Sequence, residues 1–364
     1  MKIQKMARNQ LARIPKLGQS LQESVSIILK HPREIILENT TVSFASIVGG
    51  ILSIIAPNDP TKMAIFGLSV AIVAIGIVIE TRRRFIYTRK SLPILIVINI
   101  SNSANELDAL NSLFTLIQQK PAFSNYQKNL EKYLGISSND LTFKFNGEIT
   151  EKEKLKDFLK IVRHDLGKIK QKTPQNSQFD LVYVGPISIA FLVGSMLARE
   201  NVKIMQPDQS PDVYACVLNK NQRDDSSNKQ EIAQFEKFKV TECLRTPSSR
   251  SEKATVIIET GFRIDIDDSS IQIYGDVILL KKIGSNQISF EEDWSQYCRE
   301  IYYAINEKQK QYKEIKLIYA MPVSLAIGVG MAVQHFINIQ LTQYDSEKRT
   351  YLDIIKINEV TYHY

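Results

Sequence analysis

Two apolar runs free of Asp, Glu, Lys and Arg, residues 41–57 and 63–79, stand back to back, split only by the polar turn 58–62. Each is about 17 residues long, the short end of the roughly 17–25 needed to cross hydrocarbon, so the pattern predicts a transmembrane helical hairpin within residues 35–91. A buried helical hairpin in a soluble core is the alternative. Ahead of it, residues 1–34 place Ile3, Met6, Leu11, Ile14, Leu17, Leu21, Val25, Ile28 and Leu29 at roughly helical spacing among basic and amide residues. This predicts an amphipathic cytosolic segment, broken into two pieces at Pro15 and Gly18.

From Leu92 the pattern changes to short continuous apolar runs alternating with helical periodicity. Runs 92–100 and 254–259 suit strands buried on both faces. Helical stretches are expected at 104–119 and 151–171, then a strand at 181–184 and a helix beginning at Pro186; further on, 271–282 reads as extended and 293–312 as a long helix carrying the only Trp, Trp294. Alternation of this kind predicts an α/β fold with a mainly parallel, Rossmann-like sheet in each of two tandem units, 92–220 and 233–364. A polar linker, 219–230, and a Ser, Pro and Arg-rich loop, 244–253, lie between them.

The two units repeat one another. FDLVYVGPISIAFLVGSMLA, from Phe179, recurs 136 positions later as IKLIYAMPVSLAIGVGMAVQ, from Ile315. Leu181 aligns with Leu317, Tyr183 with Tyr319, Pro186 with Pro322, Ser188 with Ser324, Ala190 with Ala326 and Gly194 with Gly330. After a one-residue shift the match runs on through 202–205 against 339–342 and to Tyr214 against Tyr351. So long a period is a domain duplication, not a solenoid.

Charge is unevenly spread. Residues 1–91 hold 13 Lys and Arg against 5 Asp and Glu, which leaves 33 against 34 for the remainder. The basicity flanks the apolar hairpin, which predicts cytoplasmic termini and a translocated 58–62 turn. Anionic lipid near Arg82, Arg83 and Arg84, or a flank without lipid specificity, accounts for it; long nucleic acid does not. Cys216, Cys243 and Cys298 form no paired spacing and the four histidines are scattered, so neither disulfide nor zinc is indicated.

The repeated element, a strand followed by a short turn, Pro at the first helical position and Ser two residues on, points free backbone amides out of a helix end. That arrangement suits an anion such as phosphate, although helix capping alone also favours Pro and Ser there. The candidate ligand residues are therefore Gly185, Pro186 and Ser188 in one unit and Met321, Pro322 and Ser324 in the other, at the carboxyl edge of each sheet. The first strands end on the same edge with Asn99, Ser101, Asn102 and Ser103, and with Thr260, Gly261, Phe262 and Arg263. These offer hydrogen bonds to phosphates or base edges and, in Phe262, a ring on which a base stacks; loop chemistry favours the same residues. No GKS phosphate loop, GxGxxG, GxSxG or HExxH occurs, and Asp265, Asp267 and Asp268 lack the later Gly and Glu of a calcium loop. No catalytic residue, metal or cofactor is assigned.

The stretches Tyr319 to Gly330 and, more weakly, Tyr183 to Gly194, in a duplicated α/β frame, resemble the SAVED domain, a fusion of two CARF-like halves. With an apolar hairpin in front, the chain resembles the two-helix transmembrane SAVED effectors of bacterial CBASS anti-phage systems. The resemblance implies binding of a cyclic di- or trinucleotide made by a cGAS/DncV-like nucleotidyltransferase, self-association, and disruption of the lipid bilayer in abortive infection, with no enzymatic activity. A membrane-tethered ring nuclease and a non-lethal nucleotide-sensing receptor are the alternatives.

Overall fold

The computed structural model describes residues 60–364 except 101–105, 121–122, 124, 208–213, 221–233, 244–251, 262–263, 265–271, 285–286, 334–337 and 362–364. The amphipathic segment, the first apolar run, the acidic cluster at 265–268 and candidate residues Ser101, Asn102, Ser103, Phe262 and Arg263 lie outside it. The chain divides into two units, Met1–Lys90 and Ser91–Tyr364.

In the first unit the second apolar run opens a continuous helix, α1 (Pro60–Arg89). Its hydroxyls turn back on the helix, Thr81 Oγ1 donating to the Ile77 carbonyl at 2.7 Å and Thr88 Oγ1 to that of Arg84 at 2.8 Å. Among the described residues no helix is long and apolar enough to cross a membrane. Few side chains of α1 are described before Ala74, and Glu80, Arg82, Arg83 and Arg84 follow soon after it. The expected pair of membrane-spanning helices is therefore not seen in the described residues.

The second unit holds two sheets. The first comprises β1 (Pro93–Asn99), β2 (Thr142–Lys144), β3 (Gln178–Val184), β4 (Val202–Pro207) and β5 (Tyr214–Lys220), ordered β2-β1-β3-β4-β5. Its pairs are parallel except β4 with β5. The second comprises β6 (Phe238–Cys243), β7 (Lys253–Glu259), β8 (Asp276–Lys282), β9 (Glu314–Ala320), β10 (Ile339–Asp345) and β11 (Thr350–Lys356), ordered β11-β10-β9-β7-β8-β6. Here β7 to β10 run parallel while the two edge strands are antiparallel. Five strands of one sheet thus map in order onto five of the other, and even the bulge recurs, between Ile204 and Met205 in β4 and between Leu341 and Thr342 in β10.

Helices α2 (Glu106–Gln118), α3 (Tyr126–Leu134), α4 (Lys152–Lys172) and α5 (Ile187–Met196) belong to the first half; α6 (Trp294–Gln309), α7 (Val323–Ala332) and α8 (Ile357–Thr361) belong to the second. Amphipathic α4 buries Leu155, Leu159, Val162, Leu166 and Ile169, one stripe at helical spacing. The strand β6 has no partner in the first half and was not expected. It is held to α6 by the buried Glu300 carboxylate, which accepts from the backbone amides of Glu236, Lys237 and Phe238 at 2.9–3.0 Å and from Gln296 Nε2 at 3.0 Å. Strand β8 starts later than the expected 271 because Gly275, at φ 57, turns the chain just before it.

Candidate functional site: a duplicated strand edge across a glycine seam

Helices α5 and α7 carry no polar face, and every residue from 188 to 195 and from 324 to 331 is buried. A helix apolar all round must be covered on all sides, and these two cover each other. The close approach is reciprocal: a β-carbon on Gly194 would stand 2.1 Å from the Ile327 carbonyl oxygen, and one on Gly330 2.1 Å from that of Phe191. Ala190 and Ala326 stand one turn before the glycines, completing a small-xxx-small spacing on both helices. This pseudo-two-fold seam joins the halves and brings the two strand-Pro-helix elements together.

Both elements have the same start. Pro186 (φ −65, ψ 144) and Pro322 (φ −60, ψ 143) occupy the cap position, one residue before the first helical position expected from sequence. Their carbonyls accept the first helical bonds, from Ile189 and Ala190 and from Leu325 and Ala326, at 3.0–3.2 Å. The amides of Ile187, Ser188, Val323 and Ser324 precede those bonds, and no side chain caps either helix. The Ser188 side chain is fully buried and donates across the seam to Gln343 Oε1 at 3.3 Å; Ser324 is buried as well. What these serines offer an anion is therefore backbone amide.

The first strands meet these elements as expected. Ile100 N donates to the Val184 carbonyl at 2.7 Å, and Thr260 N and Oγ1 donate to that of Ala320 at 2.9 and 3.1 Å. Asn99 thus ends beside Gly185, and Thr260 and Gly261 end beside Met321. A β-carbon on Gly185 would approach the Tyr183 hydroxyl at 2.8 Å and Ile100 Cβ at 2.9 Å, so the turn before Pro186 needs glycine, whereas its counterpart accommodates Met321. Asn99, Thr260 and Met321 are buried, while Gly185, Pro186, Gly261 and Pro322 are partly exposed and form the reachable rim. Beneath the rim, the Tyr183 hydroxyl donates to the Pro186 carbonyl at 2.9 Å and that of Tyr319 to the Thr342 carbonyl at 2.6 Å; burial pushes both phenols well above the ordinary tyrosine range. Gln343, which joins the seam, carried no sequence signal.

The halves differ in charge at a buried position. Asp180 in β3 and Lys316 in β9 are repeat equivalents, yet Lys316 pairs with Asp353 at 2.7 Å whereas Asp180 stands without an ion pair in the described residues, its carboxyl raised to about 6 by burial. Among the described residues no cluster of His, Cys, Asp and Glu is arranged to hold a metal ion.

Residues 198–357 match the SAVED family. Its description is "SMODS-associated and fused to various effectors sensor domain", and the match spans β4, β5 and the second half as far as the end of β11, including Met321, Pro322 and Ser324. No curated protein matches the chain. Among solved structures, the Acinetobacter baumannii Cap4 SAVED/CARF-domain containing receptor with the cyclic trinucleotide 3′3′3′-cAAA is similar at 13% identity and a TM-score of 0.45, over 82% of this chain and 60% of that one. The same receptor with 2′3′3′-cAAA gives the same figures. The Moraxella osloensis Cap4 receptor is similar at 14% identity and a TM-score of 0.41, over 82% and 59%. The chain therefore spans about 60% of the length of these proteins.

Proposed function

We propose that residues 91–364 sense a cyclic di- or trinucleotide bound across the glycine seam, and that the N-terminal segment turns this into membrane damage. The observation that carries the reading is the strand-Pro-helix edge built twice and joined at α5 and α7, since two such helix starts suit a ring of phosphates. The match of residues 198–357 to a sensor-domain family supports it. On this reading the messenger comes from a cGAS/DncV-like nucleotidyltransferase of a CBASS system and is bound without turnover. The apolar runs 41–57 and 63–79 lie in the inner membrane with both termini cytoplasmic, and ligand-driven self-association clusters them to permeabilise it in abortive infection. Chromatography of cyclic dinucleotides and trinucleotides after incubation with the detergent-solubilised chain tests the sensor. Recovery of an intact ring with the protein fraction is expected; a linear product would make the protein a ring nuclease, and no retained ring would end the reading.

A further inference from the structure

Gln343 and Tyr344 are neighbours at the carboxyl end of β10, and the pleat sends them to opposite faces. Gln343 reaches Ser188 across the seam. Tyr344 turns the other way, lies opposite Tyr351 of β11 in register, and rests on it with ring centroids 5.2 Å apart at 57°. Tyr351 packs in turn on the apolar cluster of Ile257, Ile264, Val277 and Ile318, so the inner ring is anchored while the outer one is 47% exposed. Only two aromatic side chains among the described residues stand out as exposed large hydrophobics, and Tyr344 is the one on the β10–β11 hairpin. The duplication repeats the device in part: Pro207 lies opposite Tyr214 in the first half, where the second has Tyr344 opposite Tyr351.

We propose that Tyr344, backed by Tyr351, is a stacking platform for a base of the cyclic oligonucleotide. The inference rests on the sensor reading above. An exposed ring braced at an angle by a second ring has little freedom to lose, and a nucleobase is the part of such a ligand that presents an apolar face. The phosphates then face the helix starts of α5 and α7 while one base extends over the β10–β11 hairpin. Because every base has a π-face, the platform adds affinity without choosing the base.

The test is calorimetric titration of the full chain in detergent with 3′3′3′-cAAA, 2′3′3′-cAAA and cyclic di-AMP, comparing wild type, Tyr344→Ala and Tyr344→Phe, with thermal melting to confirm that each variant is folded. Stacking predicts about a ten-fold or greater loss of affinity in Tyr344→Ala and recovery in Tyr344→Phe. Wild-type affinity in a folded Tyr344→Ala overturns the platform and leaves the sensor reading standing. Failure of the wild type to bind any ring overturns both.

Discussion

Gly194 and Gly330 each lie against the other helix's backbone, the first at the Ile327 carbonyl and the second at that of Phe191, both with room for hydrogen alone. The contact is between main chains, so no side-chain rotamer change relieves an added methyl. Gly194→Ala and Gly330→Ala should each destabilise by about 3 kcal/mol or more, as overpacked cores do. Gly167 is the contrast: it lies within α4 with nothing within 4 Å of its β-carbon position. Gly167→Ala should stabilise by roughly 0.5–1 kcal/mol. Urea unfolding of the three variants checks the set, and equal behaviour of Gly167 and Gly194 would remove the seam from the account.

Asp180 links the fold to pH. Its carboxyl is raised from 3.8 to about 6 by burial, opposed by Lys203 and Lys120, and its Oδ1 has no hydrogen-bond partner among the described residues. An acid with a raised folded value binds its proton more tightly in the native state, so its contribution to stability is fully present below the unfolded value and is lost as pH rises through the folded one. That loss amounts to roughly 3 kcal/mol above pH 6. Asp180→Asn should therefore raise the melting temperature at pH 8 by several degrees and have little effect near pH 4. A gain that is the same at both values would show that charge burial is not its source.

Glu300 gathers the amides of Glu236, Lys237 and Phe238 from 62–64 residues away in the chain. Glu300→Gln keeps the shape, but one acceptor becomes an NH2 facing those amide donors. The expected cost is about 3 kcal/mol. It should appear first as faster amide exchange in β6, with the β7–β9 pair unaffected at early times. Uniform acceleration through the second sheet would mean that β6 is integral to the core instead of an added edge.

The same long reach explains what was and was not legible beforehand. Apolar runs located β1, β3 and β7, and the recurring Pro, Ser and Gly revealed the duplication and with it β9, because those signals are local and the repeat doubles them. The pairing of Gly194 with Gly330 was also visible, yet only as an alignment: what each glycine touches depends on a helix more than a hundred residues away. β6 is weakly patterned and is placed by its ladder with β8 and by Glu300 at its start, and Gln343 enters the seam through a tertiary contact that no spacing announces. Of the edge residues, Asn99 lies beside Gly185, and Thr260 and Gly261 beside Met321, but sequence could not tell partly exposed Pro186 from buried Ser188, since burial there is set by the opposite half.

Ser188 separates the hydroxyl from the amide as the anion-binding group. The hydroxyl is fully buried and engaged with Gln343 Oε1 at 3.3 Å, so phosphate would reach only the backbone at this position. Ser188→Ala removes that hydrogen bond and leaves the amide, so it should cost about 1 kcal/mol of stability and leave affinity for a cyclic oligonucleotide within about two-fold of wild type. Pairing it with Gln343→Leu also removes the acceptor left without its donor and should restore part of the lost stability, because the asymmetry lies in leaving one polar group unsatisfied. Ser188→Glu differs in kind. A carboxylate forced into this buried site must either push outward to the helix start, where its charge repels phosphate, or open the seam. Binding should be abolished in that variant. A large loss of binding in folded Ser188→Ala would instead assign the anion to the hydroxyl, and would require Gln343 to release it when ligand arrives.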